Sequence, residues 1–181
     1  IERPWRHQVS VAEHAFAGRH VAISTSTASG KTLGYLMPVL AATAASEPRL
    51  GAEVTQARAR LSRRPHTSLY LAPTKALAHD QYRAARALAP DSWLVGTLDG
   101  DSDQAERRFA REHAQYVLSN PDMLHRAVLP NHARWAPLLG SLRYVVIDEA
   151  HRYRGVFGAQ VAQVLRRLRR LCASYGANPT F

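Results

Sequence analysis

Val21-Ala22-Ile23-Ser24-Thr25-Ser26-Thr27-Ala28-Ser29-Gly30-Lys31-Thr32 is an apolar run that breaks into small residues and ends on Gly-Lys-Thr. His20 to Ser24 reads as a short buried strand, and Lys31 to Ala45 reads as the helix behind it. That arrangement matches the phosphate-binding form G-x-x-x-x-G-K-[ST], except that Thr25 stands at the first glycine position. Small residues let the backbone wrap closely round phosphates with its N–H groups turned inward. The N-terminus of the following helix adds its dipole. In such a loop Lys31 supplies a point charge for the β- and γ-phosphates, and the Thr32 hydroxyl ligates magnesium.

A second segment completes the chemistry. Tyr144-Val145-Val146-Ile147 is an apolar strand ending in Asp148-Glu149-Ala150-His151. An acid pair at a strand's C-terminal end can hold magnesium through Asp148 and polarise an attacking water through Glu149. Both segments lie where a strand runs out into a loop, the place where open α/β sheets keep their ligands. The pair predicts a nucleotide-hydrolysis site.

The remaining chain alternates strands with helices. Helices are expected at 5–17, with Val9, Ala12 and Phe16 at helical spacing, and at 75–88, with Leu77, Ala84, Ala85 and Leu88 on one face. Further helices are expected at 104–112, 121–128, 133–139 and 156–175, and strands at 67–72, 93–97, 115–119 and 143–148. The fold class is therefore α/β, one doubly wound domain with a mostly parallel sheet and helices on both faces. Residues 46–66 hold Pro48, Gly51, Pro65 and many arginines without a steady apolar period, and are expected to form a mobile insertion. In the last helix Val161, Val164, Leu165, Leu168 and Cys172 are expected inside, with Arg166, Arg169 and Arg170 toward solvent.

With 181 residues and 46% hydrophobic content, the chain can bury a sizeable core. It contains no apolar stretch of the ~18 residues that a membrane-spanning helix requires. One cysteine, Cys172, excludes an internal disulfide framework and an all-cysteine zinc site. It fits a reducing compartment. The net charge of +10 and a pI near 10.6 suit a polyanionic partner, because neutralising phosphates releases counterions. An arginine-rich proteome would give the same balance.

Four segments in order, Ser26-Thr27-Ala28-Ser29-Gly30-Lys31-Thr32, Ala72-Pro73-Thr74-Lys75-Ala76-Leu77-Ala78, Ser119-Asn120-Pro121-Asp122-Met123-Leu124 and Asp148-Glu149-Ala150-His151, resemble the first motor domain of superfamily 2 DEAD/DEAH-box helicases. Tyr153-Arg154-Gly155-Val156-Phe157-Gly158 and Asp99-Gly100-Asp101 are similar to the MrfA/Hrq-like branch of RecQ-related DNA repair helicases. The resemblance covers essentially the whole chain. It implies a RecA-like P-loop NTPase domain that binds ATP and Mg2+ through Thr25, Ser26, Thr27, Ala28, Ser29, Gly30, Lys31 and Thr32, with Asp148 as the second metal ligand. It implies that Gln8 reads the adenine edge and that Lys31, Asp148, Glu149 and His151 serve catalysis, His151 by coupling the nucleotide site to the strand grip. Pro73, Thr74 and Lys75, and Ser119, Asn120, Pro121 and Asp122, would hold a phosphodiester backbone. Asp99 and Asp101 would repel a phosphate and are expected instead to hold a neighbouring Arg or Lys in place.

The resemblance therefore implies an ATP-dependent DNA helicase moving 3′ to 5′ in DNA repair or genome maintenance, cytoplasmic and nucleoid-associated. It also implies a DNA strand or tailed duplex and a second RecA-like domain as partners, with no membrane. A DEAD-box-like RNA helicase and a non-hydrolysing nucleic-acid-binding module are the alternatives. Thr25 stands where Gly or Ala is usual and Ala28 where Gly is more common, which stiffens the loop slightly and is expected to leave binding intact. The sequence ends at Phe181, before the Ser-Ala-Thr strand, the second motor domain and the cysteine-rich zinc region that the resemblance leads one to expect. An arginine finger from a second domain can be worth ~10³–10⁵ in rate, so the isolated chain is expected to be nearly inactive.

Overall fold

A computed structural model describes residues 3–25, 30–44, 65–88, 90 and 92–181. The insertion expected at 46–66 lies outside these except for Pro65 and His66, and Ser26 to Ser29 of the phosphate loop lie outside them as well. The elements, in order, are α1 (Arg6–Phe16), α2 (Lys31–Ala44), β1 (Thr67–Leu71), α3 (Lys75–Leu88), β2 (Val95–Thr97) and α4 (Gln104–Glu112). Then come β3 (Tyr116–Ser119), a short α5 (Pro121–Met123) running into a π-helical turn (Leu124–Val128), α6 (Ala136–Gly140), β4 (Leu142–Ile147), a 3-10 turn (Ala150–Arg152) and α7 (Gly155–Ser174).

The four strands form one parallel sheet in the order β2-β3-β1-β4. Every residue of β1 is buried, as a central parallel strand covered on both faces requires. Alternation along the strand sorts its side chains into two cores. Leu69 and Leu71 join Val117 and Val145 against Ala110 of α4, Leu124, Leu138, Leu139, and Leu168 and Cys172 of α7. Tyr70 and Ala72 join Tyr116, Leu118 and Tyr144 against Ala15 of α1, Leu36 and Val39 of α2, and Ala78 and Ala85 of α3. Helices thus cover both faces.

Local signals explain the element ends. Asp103 accepts from the Glu106 N–H at 2.8 Å, and Glu106 accepts from the Asp103 N–H at 2.9 Å, a reciprocal cap that starts α4. Asn120 Oδ1 accepts from Met123 N at 2.9 Å and starts α5 with Pro121 at its first position. A Cβ on Gly158 would stand 2.4 Å from the Tyr153 carbonyl oxygen, so the first turn of α7 can close over Tyr153 only without a side chain.

Three expectations are corrected. Residues 20–24 do not form a strand: Val21 N donates to Phe181 O at 2.8 Å, and Thr180 bridges in parallel to Tyr144. Isolated contacts of this kind do not make a hydrogen-bond ladder along the segment. In α1 the buried face is Gln8, Val11, Ala12 and Ala15, while Val9 and Phe16 are exposed. The helix is turned so that Gln8 reaches Gly30, and that sets its register against α2. In α3 the buried residues are Ala78 and Ala85, and Leu88 is exposed at the helix end.

In α7, Val161, Leu168 and Cys172 are buried, Val164 and Leu165 are half-buried, and Arg166, Arg169 and Arg170 face solvent. Among the described residues no helix is long and apolar enough to cross a membrane. Leu168 is fully buried between α7 and the sheet. Leu168→Ala is expected to cost about 2–5 kcal/mol of stability, read as a lower urea midpoint at unchanged slope. Burial pushes the Cys172 thiol up to about 12, so a thiol reagent at neutral pH is expected to modify it only after denaturation.

Candidate nucleotide and strand-binding site

Leu71 pairs with Ser119 on one side and with Ile147 on the other, so three strands end in one row. The chain crosses from β1 to its neighbours just past that row: Ala72 N donates to Ser119 O at 2.9 Å, and Asp148 N donates to Leu71 O at 3.0 Å. Parallel pairing therefore delivers Pro73–Lys75, Ser119–Asp122 and Asp148–Glu149 to one edge of the sheet.

At that edge a cavity of about 770 Å³ is lined by Thr25, Lys31, Tyr35, Asp148, Glu149 and His151 at its polar end. Val21, Ile23, Val39, Val145 and Phe181 supply apolar lining to the same cavity. Lys31 Nζ donates to the Thr25 carbonyl at 3.1 Å. Gly30 has φ +69°, and a Cβ there would lie 2.7 Å from Gln8 Nε2. Only glycine satisfies both conditions.

Gln8 is buried, not on a helix surface. Its Nε2 donates to Gly30 O at 2.8 Å and its Oε1 accepts from Trp5 N at 2.8 Å. Nε2 ties α1 to the phosphate loop and Oε1 closes the first turn of α1 itself, and the amide keeps a second N–H and a second lone pair beyond these two bonds.

Asp148 is held from two sides. Its Oδ2 accepts from the Tyr70 hydroxyl at 2.5 Å and its Oδ1 from the Glu149 N–H at 2.8 Å. The Tyr70 hydroxyl is held well above the usual phenol range, first by burial and then by the neighbouring Tyr35 and Asp148. Tyr35 shifts the same way, chiefly through burial, and its hydroxyl also interacts with Thr32. It donates to Gln81 Oε1 on α3 at 2.7 Å. Two neutral phenols therefore sit between both expected metal ligands and the adjoining helix. Tyr70 then continues an aromatic column through Tyr116, edge-on at 6.4 Å, to Trp93, stacked at 5.1 Å. Neither Tyr35 nor Tyr70 stands out in the sequence, where a tyrosine in an apolar run reads as core.

Glu149 is the one non-glycine residue with positive φ among the described residues, at 49°. A carboxylate residue held in the left-handed region is sparsely populated and marks a place where the surrounding structure imposes the turn. His151 Nε2 lies 3.4 Å from Glu149 Oε2. The Tyr153 hydroxyl is buried without a hydrogen-bond partner, and burial followed by the Asp148 charge pushes it up to about 12.

The strand-binding candidates divide. Thr74 and Lys75 are exposed at the start of α3 and Pro73 is half-buried, while Thr74 Oγ1 accepts from Leu77 N at 3.4 Å. Asp122 is exposed and lies 3.5 Å from Arg126. Ser119 is buried and its hydroxyl donates to Leu98 O at 2.7 Å, so a phosphate contact from it would require breaking that bond. Pro121 is buried, and the Asn120 oxygen is committed to the helix cap.

A family model described as DEAD/DEAH box helicase matches residues 5–179. The chain is 41% identical over 184 residues to the uncharacterized ATP-dependent helicase YprA of Bacillus subtilis, covering 100% of this chain and 22% of that one. It is 38% identical over 183 residues to the ATP-dependent helicase HRQ1 of Saccharomyces cerevisiae, covering 98% and 15%. A crystal structure of the DUF1998 helicase MrfA bound to DNA and AMPPNP is 40% identical, with a TM-score of 0.80 over 98% of this chain and 23% of that one. The chain thus spans less than a quarter of the length of these relatives.

Tyr70→Phe removes the donor on Asp148 Oδ2 and leaves a partly buried carboxylate short of a partner. A loss of about 1.5–3 kcal/mol in unfolding free energy is expected by urea titration, the usual worth of a hydrogen bond to a charged group. An unchanged midpoint would show that Tyr70 does not hold Asp148.

Proposed function

This chain belongs to the DEAD/DEAH box helicase family, and on that premise we propose that it is the ATP-binding motor domain of a longer ATP-dependent DNA helicase. The single observation that carries the reading is that Lys31 and the Asp148-Glu149 pair, far apart in sequence, line one cavity. One feature favours DNA over RNA as the strand, 40% identity to a helicase whose solved structure contains DNA, while the strong positive charge suits either polyanion. Movement 3′ to 5′, a role in repair or genome maintenance and a nucleoid-associated location belong to the same reading. So does a second RecA-like domain that closes over the nucleotide.

The residues fit a magnesium nucleotide. Lys31 at the cavity brings a cation, and Thr32 and Asp148 offer the hydroxyl and carboxylate oxygens that magnesium prefers. Those two residues would hold the ion, which when bound neutralises charge on the phosphates. Lys31 binds the β- and γ-phosphates and draws its amine from the Thr25 carbonyl to do so. Tyr70 keeps the Asp148 carboxylate oriented by donating to it. Glu149, fixed by its left-handed turn, orients the attacking water and accepts its proton. His151, beside Glu149, links that carboxylate to the edge where the strand lies.

In the full-length protein, Glu149→Gln is expected to keep nucleotide affinity and lose turnover by about 10²–10⁴-fold. Undiminished turnover would remove Glu149 from the chemistry. Lys31→Ala is expected to weaken nucleotide binding about 10- to 100-fold, as the loss of a charge-assisted contact does, read with a fluorescent nucleotide. ATPase stimulation by single-stranded DNA but not by RNA of the same sequence is the expected outcome for a DNA motor. Stimulation by RNA alone would overturn the choice of strand, and opening of only 5′-tailed duplexes would overturn the polarity.

A further inference from the structure

The loop after β2 is fastened on every side. Leu98 N donates to Leu118 O at 2.8 Å, and Ser119 Oγ donates to Leu98 O at 2.7 Å, which pins the loop's first residue to β3. Asp99 Oδ1 accepts from the N–H groups of Asp101 at 2.8 Å and Ser102 at 3.1 Å, while Asp99 N donates to Ser102 Oγ at 2.9 Å. Arg107 closes the far side, with Nε on Ser102 O at 2.7 Å and Nη2 on Gly100 O at 3.3 Å. Burial alone would raise the Asp99 carboxyl, but the N–H donors, His79 and Lys75 outweigh it and hold it below its ordinary value.

This fixed loop presents two carboxylates to successive turns of one face of α3. Asp101 Oδ2 lies 2.5 Å from Lys75 Nζ, and Asp99 Oδ2 lies 3.2 Å from His79 Nε2. The Asp101 side chain is 85% exposed, so an ordinary surface pair would contribute little. Its backbone is held by neighbouring bonds rather than by the pair itself. The carboxylate is therefore delivered to the Lys75 amine at little entropic cost.

We propose that Asp101 is a built-in stand-in for a nucleic-acid phosphate, occupying Lys75 until a phosphodiester group displaces it. The inference rests on the reading that Lys75 grips the strand. Each time the backbone engages, Lys75 exchanges one anion for another instead of gaining its first. The grip is weakened and made easier to release, which suits a motor that must let go at every step. Displaced Asp101 also takes up a solvent cation, so one fewer ion is released overall.

The test uses the full-length protein with a fluorescent oligothymidylate, measuring anisotropy between about 50 and 200 mM salt. Asp101→Asn is expected to tighten binding about 2- to 5-fold at low salt, the scale of an exposed ion pair. It is also expected to steepen the logarithmic salt slope by about 0.7. Both effects should vanish when Lys75→Ala is already present. Unchanged or weaker binding by Asp101→Asn, with Lys75→Ala still impairing it, would overturn the stand-in and leave the strand reading intact. An Asp101→Asn gain that persists undiminished beside Lys75→Ala would reduce it to general charge repulsion and overturn it too. If Lys75→Ala leaves affinity unchanged, the underlying assignment of Lys75 fails first.

Discussion

Leu71 lies between Ser119 and Ile147 in a parallel ladder, and almost everything functional in this chain depends on that pairing. Parallel strands end at the same edge, so three loops separated by dozens of residues emerge side by side. A shift of one residue in the β1–β4 register would turn the core-facing side chains over and move Asp148 off the edge. The complete burial of β1 makes such a shift costly, since both cores use its alternate side chains.

The second dependency is electrostatic. Asp148 is a carboxylate at the rim of an apolar sheet, and the groups nearest to it are phenols. Tyr70 donates to one oxygen and the Glu149 backbone to the other, so both carboxylate oxygens are held in place by hydrogen bonds. The aromatic column from Tyr35 to Trp93 fixes Tyr70 by packing, and the Tyr35–Gln81 bond extends the same support to α3. The helix that begins at Lys75 is thereby tied to the region of Thr32 and Asp148 through three side chains.

Several residues singled out by their motif serve the scaffold in this arrangement. Gln8 bonds Gly30 and Trp5, Ser119 bonds Leu98, and Asn120 caps α5. Short polar side chains at strand ends lie within reach of the freed backbone groups there, and buried polar atoms must be paired. The exposed members of the same motifs, Thr74, Lys75 and Asp122, are open to a partner, Lys75 by exchange for Asp101.

The alternating apolar runs, the Gly-Lys-Thr and Asp-Glu pairs and the Asp103-Glu106 cap determined the α/β class, most element ends and the identity of the two half-sites, because each depends on a few neighbouring residues. Helices α3 and α4 begin and end where their local patterns place them for that reason. Tertiary structure decided the rest. Residues 20–24 have strand-like composition but lack a ladder, since a strand exists only through its partner. The buried face of α1 follows the reach of Gln8 to Gly30, 22 positions away, and not the spacing of Val9 and Phe16. Tyr70 meets Asp148 across 78 positions and Lys75 meets Asp101 across 26. Such contacts are set by how strands stack side by side, which no local window of sequence contains.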